Sequence, residues 1–202
     1  MLNFNQIKTI LSQKVVGIAG AGGLGSNCAC ALVRSGIGKL IVADFDTVSL
    51  ANLNRQFYFH DQIGMNKVDA LRDNLLRIDP LCLLQMHNTK VSEDNAALLF
   101  STCDVVVEAF DDASQKQMLI EYMLTFYPGT PLVAGSGMAG WGSRESLRVI
   151  TSGNLYVCGD SSSEVSADNP PIAPRVGIVS NMQADVVIEI LLSKAILNGE
   201  RI

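Results

Sequence analysis

The stretch Lys14-Val15-Val16-Gly17-Ile18-Ala19-Gly20-Ala21-Gly22-Gly23-Leu24-Gly25 decides the fold. Residues 14–19 are a short, continuous apolar run, the mark of a strand buried on both sides. The glycines end it in a tight turn. Residues 24–35 then place small residues along one side of a helix. After the turn glycines Gly36 and Gly38, a second apolar run, Lys39-Leu40-Ile41-Val42-Ala43, ends at Asp44. Strand, turn, helix and strand make a βαβ unit, whose crossover sets the two strands parallel.

Outward from that unit the alternation continues. Val68, Leu71, Leu75 and Leu76 recur at helical spacing over residues 67–78, and Pro80 stops the helix. Cys82 to Met86 reads as a third strand, residues 93–100 as a short helix, Asp104 to Glu108 as a fourth strand, residues 114–126 as a helix and Pro131 to Ala134 as a fifth strand. From Gly135 to Asn169 the chain turns rich in Gly, Ser and Asp. Only Ser146 to Ile150 and Leu155 to Val157 look β-like there, so Ser152 to Pro174 is expected to be mostly loop. Val179, Met182, Val186, Val187, Ile190 and Leu191 give Val176 to Leu197 a helical apolar side. The pattern predicts an α/β, Rossmann-like, doubly wound and mostly parallel sheet with a C-terminal loop region and helix, residues 1–202 forming one nucleotide-binding domain.

Bulk composition narrows the function. A chain of 202 residues with 48% hydrophobic and 17% charged residues can bury one core. Its net charge of −5 supplies no Lys/Arg excess to neutralise phosphates, so no nucleic-acid partner is expected. No run approaches the roughly 18 apolar residues of a membrane span, and Met1 to Lys14 lacks the pattern of a signal peptide. A cytoplasmic protein is expected. The cysteines, Cys28, Cys30, Cys82, Cys103 and Cys158, are odd in number and include no C-x-x-C pair, which points to reduced thiols and no zinc. His60 and His87 have no partners at metal-ligand spacing.

Gly20, Gly22 and Gly25 satisfy the G-x-G-x-x-G spacing between a strand and a helix, with Gly23 beside them. Such a loop lets phosphate approach the backbone, and the amides and positive end of the next helix attract an anion. Asp44, about 20 positions on at the end of the second strand, can accept from ribose hydroxyls. The loop alone would suit a dinucleotide-dependent oxidoreductase. The following block, Asp44 to Gln56 and then Gly64-Met65-Asn66-Lys67, suits nucleotidyl transfer better. Its Asp44, Asp46, Asn52, Arg55, Gln56 and Lys67 are donors and acceptors fit for a triphosphate and its metal.

These residues form the pattern G-x-G-G-L-G-S, then D-x-D-x-V-x-x-x-N-L-x-R-Q, then G-x-x-K, then a strand leading to D-D, from about Val15 to Asp112. The chain thereby resembles the family of ubiquitin-like-protein activating enzymes, most of all the ThiF and MoeB branch. Arg175-Val176-Gly177-Ile178-Val179, leading into Met182-Gln183-Ala184, resembles that family's closing strand and helix, and the short length resembles the compact ThiF type linked to thiamine thiazole synthesis. The resemblance implies ATP and Mg²⁺ as cofactors, adenylation of a small ubiquitin-like sulfur carrier ending in Gly-Gly, and a homodimer. It places Gly22 and Gly23 at ATP, Asp44 at the ribose, and Asn52, Arg55 and Gln56 at the phosphates. Arg55 and Lys67 would stabilise charge as pyrophosphate leaves, and Asp111 would bind Mg²⁺. Residue chemistry agrees for Asp111, a carboxylate just past the fourth strand, although a helix N-cap would use the same residue type.

MoeB-like relatives carry an arginine in an N-terminal helix that enters the neighbouring subunit's ATP site. Here no arginine precedes Arg34, leaving Lys8 or Lys14 as substitutes. Cys158 lies where larger relatives place a carrier-linking thiol and is a candidate sulfur-transfer nucleophile, or else a loop thiol without chemistry. Trp141, with Gly137, Gly140 and Gly142, would line a groove for the carrier's tail or serve as a loop anchor. Two rival functions stay open: a tRNA threonylcarbamoyladenosine dehydratase-like activating enzyme of the same superfamily, and an NAD-dependent oxidoreductase.

Overall fold

Each continuous apolar run becomes a strand of one sheet in the computed structural model, which describes residues 2–197. The elements are α1 (Phe4–Leu11), β1 (Val15–Ala19), α2 (Gly23–Ser35), β2 (Lys39–Asp44), α3 (Lys67–Leu76), β3 (Leu83–Asn88), α4 (Glu93–Phe100), β4 (Val105–Glu108), α5 (Ala113–Phe126), β5 (Leu132–Gly135), β6 (Arg148–Ser152), β7 (Leu155–Gly159) and α6 (Ala173–Leu197). Their order across the sheet is β3-β2-β1-β4-β5-β7-β6. All neighbours run parallel except the β6–β7 hairpin. This is the Rossmann-like α/β architecture that the sequence predicts.

Register brings the strand ends together. Ala19 pairs with Ala43 on one side and Glu108 on the other, and Glu108 pairs with Ala134. From β1 the chain winds first outward to β2 and β3, then back to β4 on the opposite side of β1. The crevice above the β1–β4 boundary is where such sheets bind ligands. The single-letter alternation of Val105, Val106 and Val107 sends successive side chains to two cores. Val105 and Val107 join α1, α2, α3 and α6, whereas Val106 joins α4 and α5. Gly17 has no room for a side chain, since a Cβ there would lie 2.7 Å from the Phe100 ring of α4.

One expectation needs correction, and one element went unread. Residues 152–174 are mostly loop as expected, with the β-like piece at Leu155 extending to Gly159 as β7, which slots between β5 and β6. Arg175 to Val179 form no closing strand but lie in the first turns of α6. Helix α1 had no counterpart in the reading of the sequence. It is short, and a capping box starts it: Asn3 Oδ1 accepts from Gln6 N–H at 3.0 Å while Asn3 N–H donates to Gln6 Oε1 at 2.9 Å. Helix α6 has the length and composition to cross a membrane, unlike the uninterrupted apolar run sought above. Half of its most apolar portion is buried, however, with Val176, Val179, Val187 and Leu191 packed into the core beside α2. Core packing accounts for that apolarity.

Candidate nucleotide site

The glycines divide by what surrounds them. Gly20 sits at φ +98°, and a Cβ on it would lie 2.8 Å from the Ala109 carbonyl oxygen. A Cβ on Gly25 would overlap the Gly20 carbonyl oxygen, so the turn closes only with glycine at that position. Gly23 meets Val176 of α6. Gly22 instead borders open space, the nearest atom to a Cβ being Gln56 Nε2 at 3.8 Å. Helix α2 starts at Gly22 with no side-chain cap. The amides of its first turn are thus left for a partner from outside the helix.

Polar side chains fix this loop from below. Asp44 Oδ2 accepts from Ala21 N–H at 2.6 Å and Oδ1 from Asp46 N–H at 2.8 Å, leaving further lone pairs on both oxygens. The buried Tyr58 hydroxyl donates to Ala21 O at 2.7 Å. Burial first, then the nearby Asp44 and Asp46 charges, push the Tyr58 phenol far up, so it stays a donor. Ser26 Oγ donates to Gly22 O at 2.6 Å and accepts from Phe57 N–H at 3.0 Å. Asn27 Nδ2 donates to Gly23 O at 2.7 Å and Arg55 O at 2.8 Å. Ser26, Asn27 and Tyr58 were missed in the sequence. Two polar residues directly behind the glycines, followed by a run of small and apolar residues to Val33, were the available signal.

The 52–67 block is thereby held over α2. Arg55 Nη1 donates to Ala51 O at 3.0 Å and Asn54 Oδ1 at 2.8 Å, and its Cγ would be 3.6 Å from a Cβ on Gly23. Gln56 is buried beside Gly22, and its Oε1 has no partner among the described residues. Asn52 Oδ1 accepts from Ser49 N–H at 2.9 Å, which closes the turn around it. Lys67, with 8% of its side chain exposed, pairs with Asp46 at 2.7 Å; Asp46 is 48% exposed. Two of the expected nucleotide-binding groups therefore hold each other.

Asp111 lies in the exposed turn after β4 and has no hydrogen-bond or ion-pair partner among the described residues. The helix cap belongs to its neighbour: Asp112 accepts from Gln115 N–H at 2.9 Å and from Ser114 Oγ. The Ser114 hydroxyl and the Gln115 amide together hold the Asp112 carboxyl below its usual range. Among the described residues no three His, Cys, Asp or Glu side chains gather as a metal site. A single free carboxylate in the turn that leaves β4 beside the glycine loop does fit Mg²⁺, which commonly takes one or two carboxylates plus phosphate oxygens and water.

Cys158 is not a loop thiol. It lies on β7, paired with Gly135 and Val149, and is fully buried. Burial pushes its thiol up to about 12, the opposite of an activated nucleophile. Strand β7 takes its apolar residues into the core, and Cys158 goes with them. Gly137 and Gly140 do not open a groove either, because the Asp160 and Asn169 side chains fill the space beside them. The Arg175 guanidinium, almost fully buried, pairs with Asp160 and donates to Gly142 O, clamping this loop. Trp141 is left 83% exposed at its tip.

A profile of the ThiF family matches residues 3–201. The molybdopterin-synthase adenylyltransferase of Escherichia coli is 31% identical over 189 residues, covering 90% of this chain and 74% of that protein. Ubiquitin-like modifier-activating enzyme 5 of Caenorhabditis elegans is 44% identical over 82 residues, covering 41% of this chain and 20% of that protein. Against the eukaryotic relatives it matches, the chain spans from 20% to 48% of their length. Among solved structures, E. coli tRNA N6-threonylcarbamoyladenosine dehydratase in complex with ATP superposes with a TM-score of 0.83 at 23% identity, over 94% of this chain and 90% of that one. That likeness establishes the fold.

Proposed function

Because the chain belongs to the ThiF family, we propose that it is an ATP-dependent adenylyltransferase acting on the C-terminal carboxylate of a small ubiquitin-like sulfur carrier, in the manner of the thiamine-thiazole branch. One observation carries the reading. The unpartnered, exposed Asp111 carboxylate stands two residues past Ala109, whose carbonyl approaches Gly20, and this supports a free acid near the uncapped start of α2.

In the reaction a carrier carboxylate oxygen bonds to the α-phosphorus of ATP, the bond from that phosphorus to the bridging oxygen breaks, and pyrophosphate leaves. The nucleophile is already an anion at neutral pH, so positioning and charge neutralisation are the main demands. The first-turn amides of α2 meet phosphate oxygens and Asp44 accepts from the ribose. Arg55, with its stem over Gly23, swings its guanidinium onto the phosphates. The free Gln56 amide oxygen accepts from the nucleotide or its water, and Asn52 shapes the turn that carries both. Lys67 balances charge from beside Asp46. Asp111 would hold Mg²⁺, which would supply further charge neutralisation. A second copy of the chain and the cytoplasm complete the proposed setting, and exposed Trp141 provides an aromatic contact for the carrier.

Pyrophosphate exchange with ATP tests the proposal, run with a panel of purified carriers ending in Gly-Gly and, separately, with tRNA bearing threonylcarbamoyladenosine. Exchange that depends on a carrier supports it. Exchange or dehydration that responds to the tRNA alone transfers the chain to the dehydratase-like reading, and tight NAD binding without ATP binding to the oxidoreductase one. In Asp111→Asn the carrier-dependent exchange should nearly vanish while the protein stays folded; near-normal exchange at saturating Mg²⁺ removes Asp111 from the site.

A further inference from the structure

Strand β4 ends its run of valines on a carboxylate. Glu108 has no exposed side-chain surface, yet it sits in the middle of the sheet between Ala19 and Ala134. Its Oε2 pairs with the Lys116 ammonium on the first turns of α5, and its Oε1 accepts from Phe110 N–H at 2.8 Å. Lys116 Nζ also donates to Gly135 O at 2.8 Å, while Gln183 Nε2 of α6 donates to Glu108 O at 2.9 Å. The segment from Ala109 to Asp112 leaves the sheet at Glu108 and enters α5 just before Lys116. The ion pair therefore spans the base of the turn that presents Asp111 and ties it to the ends of β4 and β5.

Stability does not explain this pair. Removing two charges from water is costly, and apolar residues of similar volume often replace a buried ion pair with no loss of stability. What an apolar pair lacks is direction: it has no acceptor for Phe110 N–H and no donor for Gly135 O.

We propose that Glu108 and Lys116 are positioning residues, which fix the Ala109–Asp112 turn so that the Asp111 carboxylate meets the nucleotide-bound metal beside the glycine loop. The inference rests on the reading of Asp111 given above. Groups that orient a metal's carboxylate from behind typically cost about 10- to 100-fold in metal-linked affinity when removed.

The experiment is calorimetric titration of ATP into carrier-free protein, with Mg²⁺ and again with a chelator, alongside thermal melting. For wild type, Mg²⁺ should tighten ATP binding; Asp111→Asn should abolish that gain. The double variant Glu108→Gln/Lys116→Met removes both charges together. It is expected to melt close to wild type and to bind ATP without metal as wild type does, with the Mg²⁺ gain reduced about tenfold or more. Glu108→Asp, which keeps the charge but withdraws it by one methylene, should also reduce the gain, and it decides the matter if the double variant does not fold. A full Mg²⁺ gain in the folded double variant or, failing that, in Glu108→Asp, while Asp111→Asn loses it, overturns the positioning role and leaves Asp111 in place. A full gain in Asp111→Asn overturns the Asp111 reading, and this inference with it.

Discussion

Arg55 and Cys158 show how differently two residues singled out by type behave once placed. Among the described residues, the Arg55 guanidinium bonds to Ala51 O and Asn54 Oδ1, both local. Arg55→Ala should therefore cost about 100-fold in exchange, about 3 kcal/mol of transition-state stabilisation, while the melting temperature hardly moves. Unfolding of Arg55→Ala with full activity in its soluble fraction would make the residue structural. For Cys158 the expectation runs the other way. A serine there buries a hydroxyl on an apolar strand and should destabilise by about 1–3 kcal/mol, with exchange per folded molecule unchanged. Maleimide labelling at pH 8 checks the thiol directly: Cys30, partly exposed on α2, should react readily, and the buried Cys28, Cys82, Cys103 and Cys158 only after denaturation. Rapid native labelling of Cys158, or a thiol-cleavable carrier adduct on it, would restore the nucleophile reading.

Among the elements, the junction of β1 and α2 has the least tolerance. A Cβ on Gly25 meets backbone, which cannot move aside as a flexible side chain can. Gly25→Ala should thus lower the melting temperature and abolish ATP binding together, whereas Gly22→Ala, with nothing nearer than 3.8 Å, should keep the fold; equal melting temperatures for wild type and Gly25→Ala would refute the close packing. The βαβ units were legible because continuous apolar runs and glycine turns report local geometry. Strand β7 was legible only in part, because its place between β5 and β6 depends on pairing with residues distant in sequence, and Cys158-Gly159 carry no propensity strong enough to announce it. The candidate site divides in the same way. Asp44 and the glycines follow a spacing rule, but Tyr58, Glu108 and Lys116 act through contacts that no spacing records, and Asp112 rather than Asp111 caps α5 because of the exact bend of one turn.

At the scale of the whole molecule, the loop clamp gives stability a dependence on acid. Burial opposes ionisation of Asp160, but hydrogen bonds from Ser163 and Ser162 and from Arg175 outweigh it and hold the carboxyl well below the ordinary carboxylate value. A carboxyl held low in the folded chain stabilises it above its unfolded value of about 3.9, and that contribution fades as the pH falls through and below this value. Asp160→Asn should therefore melt lower than wild type at pH 7, with the gap narrowing below about pH 4; a gap that is constant from pH 7 to pH 3 would remove the linkage. Helix α6 reaches across the same molecule to the other end of the chain, where Val176 packs on Gly23 and Gln183 bonds to Glu108 O. On the ribosome the order of events follows from that reach. The glycine loop is synthesised before α6 and lacks its backing until α6 has emerged, so until then the apolar side of α2 lies bare for chaperones to cover. The ATP binding proposed above is therefore expected only once translation has passed α6.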